Sequence, residues 1–357
     1  MVQNQNKMKF LLYGATGYTA GLVIKHATKF GITPVLSGRN EQKIKALADI
    51  HHLEYCIADL DNTVQLETAL KDFQVVLHCA GPFSKTAKQM QLACLRMGVH
   101  YLDITGEIEV FEHGMTLHQQ ALEAKIMLMS GVGFDVVPTD CMALYLKNRL
   151  PDATHLQLAF TNINGGISHG TAQTMVESLG NDGFVRENGK LKPVPIAHKT
   201  IDVPFDNEHK THCMAIPWGD ISTAFYTTKI PNIETFTGMP KSGVMFARMG
   251  NYLGWLLRSN WVQNLLKKRV GKSLIGPNEN VQKNAQTRIW GKATNAKGQS
   301  VEARIFGMEG YTLTALTALN ITKKVLEGNL KIGYQTPALA YGQDLILEIE
   351  GIRREDI

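Results

Sequence analysis

The N-terminal part of the chain repeats one pattern. Short apolar runs alternate with amphipathic stretches of ten to fifteen residues. Residues 8–13 (MKFLLY), 33–37 (TPVLS), 54–58 (EYCIA), 74–79 (QVVLHC), 99–104 (VHYLDI) and 126–130 (IMLMS) read as strands. Between them lie helical patterns at 17–30, 40–50, 62–72, 84–97 and 108–124. The run at 74–79 is apolar at its centre, as a parallel strand buried on both faces should be. Strands separated by helices of this length imply right-handed crossovers. The pattern therefore predicts an α/β fold with a Rossmann-type doubly wound parallel sheet.

The rhythm changes after Asp135. A helix is expected over 138–149, with Pro138 in its first turn. Residues 155–163 read as a strand and 171–179 as a short helix, and 185–241 mix prolines, glycines and short strand patterns. In 287–306, apolar Val301, Ala303 and Ile305 alternate with Glu302 and Arg304 around a turn at 295–298, which predicts a hairpin. A long helix covers 309–327. The division expected is a nucleotide-binding domain over 1–150, an inserted α+β, mainly antiparallel substrate and dimerisation domain over 151–308, and a segment 309–357 that returns to the first domain. The hairpin's apolar strand face suggests homodimerisation.

Composition narrows the function classes. Hydrophobic residues make up 44% of the 357, and 19% are charged. This excludes intrinsic disorder and disulfide-framed scaffolds. A net charge of +5 over this length is too dilute to argue for nucleic acid. The five widely spaced cysteines read as reduced thiols of a cytoplasmic protein. Residues 1–6 are polar and lack the apolar run of a signal peptide. No apolar run is long enough to span a bilayer. One stretch, 241–272, carries seven basic residues, no acid, and Trp255 and Trp261 among many apolar residues. It is compatible with weak association with a membrane surface. A helix packed on the second domain, which hides the tryptophans, or a dimer contact also fits it.

The candidate chemistry lies at strand ends. Gly14-x-x-Gly17-x-x-Ala20-Gly21 follows the first strand and opens a helix. Gly14 permits a tight turn, and Gly17 lets the backbone approach a pyrophosphate. The helix N-terminus then offers free N–H groups and a positive dipole end. Thr16 and Thr19 add hydroxyl donors. The second strand ends in Ser37-Gly38-Arg39-Asn40, where an acid would hold an NAD ribose. No acid stands there. Arg39, and Ser37 beside it, suit a 2′-phosphate, so NADP(H) is favoured over NAD(H). Cys79-Ala80-Gly81-Pro82-Phe83 ends the fourth strand, where small residues admit a nicotinamide. Cys79 reads as a small buried hydrophobe rather than a nucleophile. Asp103 to Glu107 ends the fifth strand. Its two acids orient a ligand or act as acid and base, and Glu107 equally suits a helix start. Gly131 to Asp135 ends the sixth. Together these loops outline a cleft on one sheet edge. In 165–171, His169 is a proton donor or an exposed residue of a capping loop.

Other chemistries lack their signatures. No tyrosine is followed four residues later by lysine, no His/Cys/Asp cluster has zinc spacing, and no Walker loop occurs.

The combination resembles the saccharopine dehydrogenase-like oxidoreductases. The stretches that carry the likeness are GATGYTAGLV (14–23), SGRN (37–40), CAGPF (79–83), GVHYLDITGE (98–107), GFDVVPTD (133–140), WGDISTAFY (218–226), EGYTLTALTAL (309–319) and TPALAYGQDLI (336–346). They span most of the chain. The resemblance implies that Gly14, Thr16, Gly17, Tyr18 and Thr19 line the phosphates. It sets Arg39, with its neighbours Ser37 and Asn40, at the adenosine end. Ala80, Gly81, Pro82 and Phe83, with Gly106 close by, line the nicotinamide end. It gives no universal catalytic residue; Asp135 and His169 are the candidates here. The family includes lysine-pathway saccharopine dehydrogenases and trans-acting enoyl reductases of lipid synthesis. The expected reaction is reduction of a C=C or C=N bond in a small-molecule substrate. The alternatives are a saccharopine-type amino-acid dehydrogenase and a non-catalytic NADP(H)-binding protein at a membrane. The sequence SHGT at 168–171 departs from the family pattern.

Overall fold

The structure is a computed structural model that describes residues 8–178, 180–259, 261–265 and 276–357. The chain divides into two compact units. The first comprises residues up to Asp135 together with Tyr311–Ala340, and the second comprises Val136–Gly310 with Tyr341–Ile357.

The first unit holds a seven-stranded parallel sheet. Its strands are β1 (Lys9–Tyr13), β2 (Thr33–Gly38), β3 (Tyr55–Ile57), β4 (Val75–His78), β5 (His100–Asp103), β6 (Met127–Met129) and, from the C-terminal part, β15 (Gly333–Tyr334). The order is β15-β6-β5-β4-β1-β2-β3. Every pairing in it is parallel. The order reverses at β1, which lies between β2 and β4. In such sheets ligands bind outside the carboxyl ends at this reversal. Phe10, Leu11, Leu12, Val75, Val76 and Leu77 have no exposed surface, which explains the uninterrupted apolar runs. The expected helix over 108–124 is broken at Leu117 into Ile108–Thr116 and His118–Glu123.

The second unit is built on a nine-stranded mixed sheet. Its strands are β7 (Ala153–Ile163), β8 (Gly183–Glu187), β9 (Lys190–Val194), β10 (Thr200–Val203), β11 (Thr211–Ala215), β12 (Asn232–Gly238), β13 (Gln286–Asn295), β14 (Ser300–Met308) and β16 (Arg353–Asp356). The main path runs β10-β11-β12-β7-β13-β14-β16, with the β8–β9 hairpin joined to β12. Among the described residues of this sheet, only β7 and β12 pair in parallel. The predicted hairpin is β13–β14, in register from Gln286↔Met308 to Thr294↔Ser300. Its apolar face is covered internally. A Cβ on Gly291 of β13 would lie 2.6 Å from Met142 and 2.7 Å from Leu146 of the helix Val137–Arg149.

The boundaries differ from the sequence reading in two ways. The helix Val137–Arg149 packs on β13 and β14, in the second unit rather than the first. Residues 341–357 also join the second unit, because β16 pairs with β14. Only Tyr311–Ala340 returns to the first. No helix among the described residues is long and apolar enough to cross a membrane.

Candidate active site

The carboxyl ends of β1 and β4 meet at the glycine loop. Gly14 adopts φ +79°, and a Cβ there would lie 2.7 Å from the backbone nitrogen of Ala80. Only glycine fits this position. The Gly14 and Ala15 N–H groups donate to the Ser37 carbonyl at 2.9 and 3.1 Å, and Gly17 N–H donates to the Gly14 carbonyl at 3.0 Å. The chain then enters the helix Tyr18–His26. Its N-cap is Gly17, and no side chain caps it. Thr16 and Gly17 are exposed and Tyr18 and Thr19 half-buried, so this first turn faces outward. This is the cradle that a pyrophosphate needs.

At the end of β2, Arg39 is exposed and makes no ion pair among the described residues. Two neighbours depart from the expected roles. Ser37 is fully buried, so its hydroxyl does not reach the surface, and its contribution is the carbonyl that anchors the glycine loop. Asn40 caps the helix Glu41–His51, accepting from Lys43 N–H at 3.0 Å. Its amide nitrogen remains for a ligand.

The loop after β4 is held from below and from the side. His78 is fully buried. Its Nε2 lies 3.2 Å from the Ala80 carbonyl and 3.1 Å from Thr86 Oγ1. The Tyr13 ring stacks on it at 5.4 Å. Desolvation lowers its pKa to about 4, so the imidazole is neutral near neutrality. The helix Phe83–Met97 begins at the Pro82 cap. Its first N–H groups, of Phe83 and Ser84, donate to the two Glu107 carboxylate oxygens, each at 2.8 Å. Glu107 thus caps one helix by its side chain while its backbone caps its own helix Ile108–Thr116.

Asp103 ties the next two loops together. Its carboxylate accepts from Tyr101 Oη at 2.7 Å and from the N–H groups of Thr105 and Gly131, each at 2.9 Å. Burial raises its pKa to about 6 against these bonds. It is therefore a strut of the site. Gly106 lies against Asp135, since a Cβ there would meet Asp135 Oδ2 at 2.8 Å. Burial first, and the Glu107 charge second, raise the Asp135 pKa to about 7. Burial and Asp103 also push the Cys79 thiol far up, so it is no nucleophile at neutral pH.

The helix Gly310–Leu326 closes this edge from behind. Thr314 Oγ1 accepts from Phe134 N–H at 3.0 Å, and Thr317 Oγ1 donates to the Val132 carbonyl at 2.9 Å. Tyr311 meets Tyr18 edge-on at 5.1 Å. The first unit thus gathers Gly14–Thr19, Arg39, Ala80–Phe83, Gly106 and Asp135 at the carboxyl ends of its strands. Sequence reasoning missed His78, Thr314 and Tyr311. A histidine ending an apolar strand was the only hint of the first. His169 stands in the second unit, half-buried at the start of the helix His169–Ser178. Ser168 caps that turn, accepting from Thr171 N–H at 3.2 Å. No group of three or more metal-ligating side chains occurs among the described residues.

A family model described as NAD(P)H-binding matches residues 14–127. The saccharopine dehydrogenase-like oxidoreductase of Rattus norvegicus is 24% identical over 55% of this chain and 52% of its own length. Over about half its length the chain is similar to the saccharopine dehydrogenase-like oxidoreductases. A trans-acting enoyl reductase of Mycobacterium ulcerans is 28% identical over 46% of this chain and 41% of its own. The chain spans about half the length, or less, of these curated relatives. Among solved structures, the L-Glu-forming saccharopine dehydrogenase of Saccharomyces cerevisiae shares the fold. It matches with TM-score 0.68 and 12% identity over 98% of this chain and 100% of that one.

Proposed function

We propose that this protein is an NADP(H)-dependent oxidoreductase that reduces a C=C or C=N bond of a small acyl or amino-acid-derived substrate. One observation carries the cofactor half of this reading. An outward-facing helix N-terminus without a side-chain cap follows the Gly14 turn. An exposed Arg39 without an ion pair among the described residues ends the neighbouring strand, where no acid stands. A side chain at Gly14 would strike Ala80, so this glycine lets the loops after β1 and β4 close on each other, and the uncapped turn at Gly17 is what faces a phosphate.

Bound NADPH supplies a hydride. The chain's own residues bind and orient. The N–H groups and hydroxyls of Thr16 to Thr19 take the pyrophosphate, and Arg39 with the Asn40 amide takes the 2′-phosphate. Ala80 to Phe83, held by His78 and Glu107, receive the nicotinamide end beside Gly106. Asp135, with its pKa near 7, holds or releases a proton at its carboxyl close to neutral pH. His169 is the second proton donor in this reading. The kinship with trans-acting enoyl reductases supports the C=C arm. A reducing, cytoplasmic setting agrees with five unpaired cysteines.

NADPH consumption over a panel of enoyl thioesters and amino-acid/keto-acid pairs tests the proposal. Turnover of an enoyl thioester supports the preferred arm. Turnover of an amino-acid pair alone identifies a saccharopine-type dehydrogenase. NADPH binding without any turnover leaves a non-catalytic nucleotide-binding protein.

A further inference from the structure

The helix Lys241–Tyr252 of the second unit has two apolar faces. Its inner face packs. Val244 is buried with Ala197 and Met214, and Ala247 lies against the same cluster. Arg248 Nε donates to the Ala197 carbonyl at 3.0 Å, and the Asn251 side chain bonds both the N–H and the carbonyl of Ile196. Positions 244, 247, 248 and 251 are one helical stripe. The opposite stripe should be polar on a water-facing helix. It carries Met245, Phe246, Met249 and Tyr252 instead, with Phe246 66% and Tyr252 85% exposed. Beyond it, Trp255 and Trp261 are each 72% exposed. Packing within the unit therefore does not hide the tryptophans, contrary to the expectation from sequence.

The charge in this region has one sign. Residues 241–265 include Lys241, Arg248 and Arg258 and no acid. The sequence continues with Lys267, Lys268, Arg269 and Lys272, which lie outside the described residues, again without an acid. Exposed aromatic and sulfur-containing side chains, on a stretch of sequence whose charged residues are all cations, complement an anionic bilayer interface. Amphipathic tryptophan and tyrosine rings sit at headgroup level, and the cations face acidic lipid. A copy of this chain would bring the same positive charge to the contact.

We propose that the outer face of Lys241–Tyr252, with Trp255 and Trp261, docks the protein on an anionic lipid surface. The test is co-flotation of the full chain with vesicles. Binding is expected to phosphatidylglycerol-containing vesicles at low salt, to weaken as salt screens the charges, and to be far weaker on phosphatidylcholine alone. Phe246→Glu with Trp255→Glu should cut binding by about tenfold or more. Both side chains are exposed, so the double variant should keep its melting temperature and its NADPH affinity. Absence of flotation at low salt, or equal flotation on both lipids, would overturn the proposal. So would conversion of a dimer into a monomer by the double variant without change in flotation, which would assign this face to a second copy. If the double variant fails to fold, quenching of tryptophan fluorescence by brominated anionic lipid decides. Unquenched wild type would refute the docking.

Discussion

In the proposed reading, Arg39 is the residue that distinguishes two cofactors differing by one phosphate. Its guanidinium is exposed and makes no ion pair among the described residues. A charge-assisted bond to a 2′-phosphate contributes about 1.5–3 kcal/mol, or roughly tenfold to a hundredfold in affinity. Arg39→Ala should therefore weaken NADPH by that factor and leave NADH nearly unchanged. Arg39→Asp should go further, because a carboxylate repels the phosphate yet accepts from a ribose hydroxyl. Cofactor fluorescence titration reads both, and equal losses for the two cofactors would remove the role. Asp135 poses a question of protonation. Its folded pKa of about 7 lies above the ordinary carboxyl value. The protonated form is thus the favoured one in the fold. Its contribution to stability is present below about pH 4 and is lost as pH rises through about 7. Asp135→Asn keeps a neutral side chain throughout. The variant's stability relative to wild type should rise between about pH 4 and 7 and stay level above, read as melting temperature at each pH, while activity falls. A pH-independent difference would place the carboxyl in an ordinary environment.

Among the elements, the start of Phe83–Met97 depends on a side chain from another strand's end. Its first N–H groups have the Glu107 carboxylate as their partner. Removing that cap by Glu107→Ala should cost about 1–2 kcal/mol, read as a lower denaturant midpoint. It should also lower the Asp135 pKa, because the Glu107 charge is one cause of its rise. A midpoint change without any shift in the pH profile would separate the cap from the acid. These contacts were only partly legible in sequence. The strands of the first unit were readable because a doubly buried parallel strand is an unbroken apolar run. That same burial defeated the reading of Ser37. On a strand covered on both faces, a polar residue near the end gives no sign of pointing inward. The break at Leu117 had no signal, since the apolar pattern continues through it. β16 was invisible for another reason. Its sequence, Arg353-Arg354-Glu355-Asp356, is poor in strand formers. It pairs as an edge strand, where charge is tolerated. Arg353 lies over the Phe306 ring at 3.9 Å and Arg354 over Tyr145 at 3.7 Å, which gives the charged residues an apolar footing.

At the scale of the molecule, the chain crosses between its units at 135/136, 310/311 and 340/341. Sequence patterning marked a change of rhythm after Asp135 but set the first boundary at 150, and it gave no sign of the last crossing, because Pro337–Tyr341 carries no break in its apolar pattern. All the proposed cofactor residues fall in the first unit, whereas the charged apolar helix Lys241–Tyr252 falls in the second. Ligand binding to the folded first unit stabilises it by mass action, about 2.7 kcal/mol at a hundredfold excess over Kd. For a body of this size that corresponds to roughly 5–10 °C in melting temperature. NADPH at saturating concentration should produce this rise. NADH at the same concentration should give a smaller one, because it lacks the 2′-phosphate proposed to meet Arg39. In Arg39→Ala the two shifts should converge. Anionic vesicles, acting on the second unit, should leave the difference between the two cofactors unchanged. Differential scanning fluorimetry of wild type and variant with each nucleotide measures all of these. Equal shifts in wild type would set the cofactor preference aside while leaving the nucleotide site intact. No shift with either nucleotide would mean that the Gly14 cradle does not hold one.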